Sequence, residues 1–339
     1  MSQEMGSLRL HAAIERWPLT VPFRITGHVF EVIEVLAVTL SRDGHAGHGE
    51  AAGIYFRGEQ AASLLQQVES VRGAITAGIT CDSLQNLLPP GGARNAVDCA
   101  LWDLEAKLTG RPVWQTLGLA PPRALLTTFG CGADTPEKMA SAARAYTHAQ
   151  AIKLKLTGEA VDADRVQAVR EARPDVWLSV DANQGFTRTF LENLLSVLVQ
   201  ARVALIEQPF PVGQESLLEG FNSPIPIAAD ECALTAADVR ALPGRFNAVN
   251  IKLDKSGGLT EAIRMTRAAR ELGLDTLVGN MIGTSLAMAP SFLLGQLCST
   301  VVDLDGPLFL KADRDLSVHY REGRICCPER VWGGGREST

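Results

Sequence analysis

The chain has 339 residues, 46% of them apolar, which is ample for a large core and one or two domains. A formal net charge of −6 without any dense Lys/Arg run excludes the basic footprint of a nucleic-acid binder, and no apolar stretch is long enough to span a bilayer. The start "MSQEMGSLRL" has no basic-plus-apolar leader and the seven cysteines form no CxxC pair, so the expectation is a cytoplasmic protein with reduced thiols.

In chain order, "LRLHAAIERWPLT", "VFEVIEVLAVTLSRDG" and "HAGHGEAAG" read as strands of an antiparallel meander, the second ending in an Asp-Gly turn signal. "GHGEAA" at 47–52 mimics a dinucleotide-binding glycine motif, but no βαβ unit follows it. Two amphipathic helices are expected at about 59–77 and 93–109, the second stopped by Gly110. Strands followed by helices make this part an α+β domain.

From about residue 125 the pattern changes to short apolar runs separated by amphipathic stretches, such as 161–172 and 260–272. The runs are "LLTTFG", "AIKLKL", "VWLSVDAN", "VALIEQPF", "PIAADE", "AVNIKL", "DTLVGNM" and "STVVDLDG". Eight βα-sized steps of this kind imply a (β/α)8-type barrel, with an open doubly wound sheet as the alternative.

In such a barrel, functional groups come from the C-terminal ends of the strands. Strand two ends with Lys153 and Lys155, strand three with Asp181 and Asn183, strand four with Glu207, strand five with Asp230 and Glu231, strand six with Lys252, and strand eight with Asp303 and Asp305. Any one acidic residue at such a place also fits a helix N-cap or a turn. Carboxylates from three consecutive strands, Asp181, Glu207 and Asp230, would repel one another unless a hard cation neutralised them, which points to Mg²⁺ with Mn²⁺ tolerated. Lys153 and Lys155, two apart on one strand, share a face. They fit either a solvated basic face or a tuned base with an electrostatic helper. Strands two and six lie opposite in an eight-strand ring, so Lys155 and Lys252 would meet a carbon atom from its two faces. That arrangement suits removal of a proton from carbon beside a carboxylate, through an enediolate whose charge the cation stabilises. The like charge of Lys153 and desolvation would pull the Lys155 amine below its ordinary value of about 10.4.

Together, "KLK" at 153–155, "DAN" at 181–183, "EQP" at 207–209, "ADE" at 229–231, "NIKLDKSGG" at 250–258 and the helix "ARNAVDCALWDLEAKLTG" at 93–110 resemble the muconate-lactonising-enzyme subgroup of the enolase superfamily. The resemblance covers nearly the whole chain. It implies a modified TIM barrel, (β/α)7β, over residues 119–309 under an α+β capping domain of residues 1–118, to which the C-terminal segment 310–339 returns. It also implies Lys155 and Lys252 as the acid/base pair, Lys153 as a helper on the carboxylate side, and Asp181, Glu207 and Asp230 as magnesium ligands. No histidine occurs between His148 and His319, so the histidine base of mandelate-racemase-like members is missing.

The D-x-D of "VVDLDGP" at 301–307 resembles the motif with which dipeptide epimerases grip the amine of a dipeptide, and Asp303 and Asp305 are expected to do so here. The expected reaction is therefore epimerisation of the C-terminal residue of a small-molecule dipeptide. N-acylamino-acid racemase, o-succinylbenzoate synthase, cycloisomerase and a non-catalytic binding barrel are the alternatives. Symmetric assembly into a homo-oligomer is compatible with such an enzyme. By resemblance, the loops "PLTVPFRITGHVF" and "GIYFRGE" close over the substrate side chain, with Phe23, Arg24 and Tyr55 as contacts, joined by Asn183 and by Met281 and Ile282 of "GNMIGTS". Epimerases acting on L-Ala-D/L-Glu usually carry an arginine shortly after the Pro-Phe pair. Thr26 and Gly27 stand there instead, leaving Arg24 or Arg57 to bind an acidic side chain, or an apolar side chain in its place.

Overall fold

The computed structural model of the protein describes residues 7–298 and 301–335. Strands Arg9–Ile25, His28–Arg42 and His45–Ala51 form an antiparallel sheet in that order. The anticipated Asp-Gly turn is present, with Asp43 and Gly44 both at positive φ, which matches the twist of a tight hairpin. Helix Gly92–Thr109 lies across this sheet and ends at Gly110 in the left-handed conformation, as the sequence predicts. Gly47 and Gly49 explain their own spacing. A Cβ at Gly49 would sit 2.0 Å from the Ala96 carbonyl oxygen and one at Gly47 2.2 Å from that of Ala100, so these glycines let strand and helix backbones touch.

The single helix expected over 59–77 is two, Ala61–Ser70 and Arg72–Thr76, broken at Val71. A third, Cys81–Leu87, was not anticipated, although its signal is local: the Thr80 hydroxyl accepts from the Ser83 amide and Ser83 answers the Thr80 amide, a reciprocal capping box.

Seven parallel strands follow in sequential order around the sheet: Thr128–Cys131, Ala151–Lys155, Trp177–Asp181, Val203–Glu207, Ile227–Ala229, Ala248–Lys252 and Asp275–Gly279. The eighth is reduced to a bridge, and the first two residues of its expected run, 299–300, lie outside the described residues. Val302 pairs in parallel with Thr127, its carbonyl accepts from the Thr128 amide at 2.9 Å, and the Asp303 amide donates to Val278 on strand seven at 2.8 Å. This short segment therefore stands between strands one and seven and closes the ring. The main apolar core lies between the barrel strands and their helices, including Ile152, Leu154, Val180, Ile206 and Ile251. The C-terminal segment makes a small hairpin against Leu125–Leu126, and the Trp332 indole donates to the His48 and Cys99 carbonyls of the sheet and helix.

Polar contacts fix the cap on the barrel. Arg94, buried, donates to the carbonyls of Ser256 and Gly257 at 2.6 and 3.1 Å, and Gly53 N–H donates to Asp254 at 3.0 Å. Asp98, wholly buried, accepts from the Thr260 hydroxyl at 2.6 Å and the Thr260 amide at 3.0 Å. Burial lifts the Asp98 carboxyl to about 6 against the pull of those two hydrogen bonds. A folded-state pKa above the unfolded one means that ionisation costs stability as pH rises from the ordinary carboxylate range to the raised value, and costs nothing below it. Asp98→Asn keeps an acceptor for Thr260, so the variant's urea midpoint should gain on wild type between about pH 4 and pH 7. Parallel pH profiles for the two proteins would contradict this.

Candidate active site

Parallel strands present all their C-terminal ends at one rim, and here the register aligns the candidate residues. Lys155 is paired with Asp181 across strands two and three, and Asp181 with Glu207 across strands three and four. Lys252 closes strand six, and Asp230 follows strand five directly. One carboxylate oxygen from each of Asp181, Glu207 and Asp230 lies within 4.8 Å of the others, and all three residues are buried.

Lysines compensate this concentration of negative charge. Lys153 Nζ lies 2.9 Å from Glu207, 2.9 Å from Asp303 and 3.2 Å from Asp181. Lys155 Nζ is 2.6 Å from the same Asp181 oxygen, so the two ammonium groups of strand two converge on one atom. Lys252 pairs with Asp230 Oδ2 at 2.7 Å, and Lys255 with Asp230 Oδ1 at 2.6 Å. Burial alone would raise the Asp181 and Asp230 carboxyls, but Lys155 and Lys153 hold the first down, and Lys252 and Lys255 the second. Burial lifts Glu207 to about 7, with Asp181 and Asp230 adding to it against Lys153. Lys153 sits at the centre of the array. Burial would lower its pKa, but Asp303, Glu207 and Asp181 raise it well above the ordinary value, so its charge is answered by carboxylates.

Several residues that sequence reasoning passed over hold this array in place. Asn250 donates to Glu207 Oε1 at 2.8 Å, and the Gln208 side chain accepts from the Asp230 amide at 2.9 Å. Lys255, fully buried, reaches the carbonyls of Asp230, Ala233 and Asn250. Gln184 and Gln208, together with the anticipated Asn183, take positive φ just beyond the strand-three and strand-four carboxylates, an uncommon conformation for non-glycine residues that concentrates at functional sites. Their signal in the sequence was polarity at the end of apolar runs, which alone does not separate a positioning side chain from a turn residue.

The donor set fits a hard divalent cation, since it consists of carboxylate oxygens without thiolate or imidazole. Around it, Asn183 Oδ1, Glu231 Oε2 and Asn250 Oδ1 are buried without a hydrogen-bond donor. Buried acceptors left in this way are costly unless a cation or donor faces them.

A cavity of about 370 Å³ opens over the rim. Lys155, Lys252 and Asn183 line its floor, with Phe23 and Tyr55 of the cap and Met281 and Ile282 of the loop after strand seven on its walls. Arg24 is a correction. Strand alternation turns Phe23 and Ile25 inward and Arg24 outward, into a separate crevice beside Asp134 and Arg165. Arg57 is exposed and off the wall, whereas Arg16, not anticipated, is on it. The D-x-D pair also divides. Asp303 joins the lysine array and accepts from the Thr128 hydroxyl at 2.5 Å, while Asp305 accepts from the Gly130 amide at 2.6 Å, and neither lines the cavity. Their carboxyls part accordingly. Burial is overcome by Lys153 and Lys155 at Asp303, which falls to about 2; burial and the Asp303 charge lift Asp305 to about 7.

Residues 8–118 match the mandelate racemase / muconate lactonizing enzyme N-terminal domain, and residues 137–330 the enolase C-terminal domain-like family. Over 313 residues the chain is 37% identical to an L-Ala-D/L-Glu epimerase of Escherichia coli, covering 92% of this chain and 97% of that protein. It is 33% identical over 328 residues to a hydrophobic dipeptide epimerase of Roseobacter litoralis, covering 93% and 94% respectively. The solved structure of a dipeptide epimerase from Methylococcus capsulatus, complexed with Mg and the dipeptide L-Arg-D-Lys, superposes with a TM-score of 0.90 at 30% identity over 97% of this chain and 99% of that one. With a closed parallel barrel, an antiparallel cap and both family regions matched along its length, the chain belongs to the mandelate racemase / muconate lactonizing enzyme family of the enolase superfamily.

Proposed function

We propose that this protein is a magnesium-dependent dipeptide epimerase that moves one proton off and back onto the α-carbon of a dipeptide's C-terminal residue. The observation that carries the reading is the pair Lys155 and Lys252, which reach the floor of one cavity from opposite strands of the ring. Asp181, Glu207 and Asp230 would hold Mg²⁺, with Mn²⁺ as a substitute, and the ion supplies positive charge to the substrate carboxylate as negative charge grows there. One lysine, as the neutral amine, takes the α-proton and becomes ammonium, while the other, already ammonium, returns a proton to the opposite face. Lys153, protonated and in the same array, steadies the carboxylate side. Asp303 and Asp305 are assigned to the substrate ammonium group. Supporting this, Asp303 joins the lysine array and keeps 14% of its side chain accessible, where Asp181 and Glu207 keep 0% and 2%. We take residues 1–118 with 310–339 as the cap. Cytoplasmic residence accords with the seven cysteines, all free thiols.

With Mg²⁺ and L-alanyl dipeptides in D₂O, the protein should add one deuterium to the substrate, read by mass spectrometry. Lys155→Ala and Lys252→Ala should each lose epimerisation by more than about a hundredfold. Each should retain exchange on only one epimer, the two variants on opposite ones. Exchange of both epimers by both variants would refute the division of labour between the lysines. Calorimetric titration tests the ligands separately: Asp230→Asn should weaken Mg²⁺ binding at least about tenfold. Equal affinity in variant and wild type would remove Asp230 from the metal site.

A further inference from the structure

The epimerase reading leaves open which side chain the enzyme accepts, and the cavity wall carries information on it. Above the lysine floor, the wall is built mainly of Phe23, Ile25, Phe30, Tyr55, Met281 and Ile282. Phe30 and Tyr55 meet edge to face, with centroids 5.5 Å apart at 82°, which joins the two cap loops over the opening. The hairpin that carries Phe23, Ile25 and Phe30 is pinned at its turn, where Thr26 Oγ1 lies 2.9 Å from the Leu156 carbonyl and 3.0 Å from that of Ala182, at the ends of strands two and three. The apolar wall is thus held against the reacting end of the site.

Charged groups on that wall are already engaged. Arg16 pairs with Glu34 at 3.1 Å, and Glu59 accepts from the amides of Ile54 and Gly92 at 2.9 and 3.0 Å. Lys155 and Lys252 lie on the floor, where the reading above assigns them to the α-carbon and not to the side chain. An incoming side-chain carboxylate would lose hydration to aromatic and aliphatic carbon and meet two carboxylates for the one guanidinium. A cationic side chain would have to share Glu34 with Arg16 or Glu59 with two backbone amides, and would lose hydration to the same aromatic and aliphatic wall. An apolar side chain displaces only water.

Resting on the epimerase reading above, we infer that the C-terminal residue of the substrate carries an apolar side chain of leucine, methionine or phenylalanine size, and that Phe30 is a specificity-determining contact for it. The test compares kcat/KM for deuterium exchange with L-Ala-L-Leu, L-Ala-L-Glu and L-Ala-L-Lys. Leucine should exceed both others by more than about tenfold, the scale at which apolar pockets discriminate. A faster rate with the glutamate or lysine dipeptide overturns the inference while leaving epimerase activity intact. Phe30→Ser should cut the ratio of kcat/KM for L-Ala-L-Leu over L-Ala-L-Ala by about tenfold, mainly through KM, in a protein whose thermal melt shows it folded. An unmoved ratio removes Phe30 from the subsite. Exchange with no dipeptide at all overturns the epimerase reading and the inference with it, a result distinct from exchange with the wrong one.

Discussion

The structure turns on the packing of like charges at the barrel mouth. Three carboxylates within 4.8 Å of one another in a buried setting cannot stand alone. The fold answers with Lys153, Lys155, Lys252 and Lys255, set against Asp181, Glu207, Asp230 and Asp303 in an alternating array. Removing one member would leave its neighbours as unpaired buried charges, so the array is held as a unit. The same requirement explains why Gln208, Asn250 and the left-handed residues after strands three and four are where they are. They fix carboxylates whose positions mutual repulsion would otherwise spread.

Charge at the rim also dictates what the cap must do. An array of this kind functions only if water is kept from it, and the apolar face of the cap hairpin supplies the cover. The cap can sit so close because Gly258 accommodates Asp98, whose side chain a Cβ there would approach to 2.5 Å, while Gly47 and Gly49 bring the cap's sheet onto its own helix Gly92–Thr109. Glu50 extends the tie. It accepts from the Thr284 amide at 2.8 Å and pairs with Arg314 at 2.7 Å, linking cap sheet, strand-seven loop and C-terminal segment at one buried carboxylate.

Much of this was legible in the sequence because strand ends leave a strong trace. Lys155, Asp181, Glu207, Asp230 and Lys252 each close an apolar run, and even spacing placed those runs around one ring. The eighth strand was legible as a run ending in Asp303, but its reduction to a bridge was not, since its shortness depends on a gap between strands one and seven that only closure defines. Arg24 was misplaced because residue type was read before strand alternation, although Phe23 and Ile25 flank it as inward neighbours. Lys255 and Asn250 were passed over for a different reason: their partners are backbone carbonyls and a carboxylate two strands away, and nothing local in "NIKLDKSGG" separates them from the lysine beside them. The break at Val71 follows from packing in the cap and leaves no local signal as strong as the Thr80 capping box.

Epimerisation as proposed requires two lysines to address one α-carbon from opposite faces. A crystal structure with Mg²⁺ and a dipeptide bound tests it most directly. The α-carbon should lie between Lys155 Nζ and Lys252 Nζ, each within about 3.5 Å, with the substrate carboxylate turned to the Asp181, Glu207 and Asp230 corner. An α-carbon in reach of only one lysine, or both amines on the same face, would contradict it.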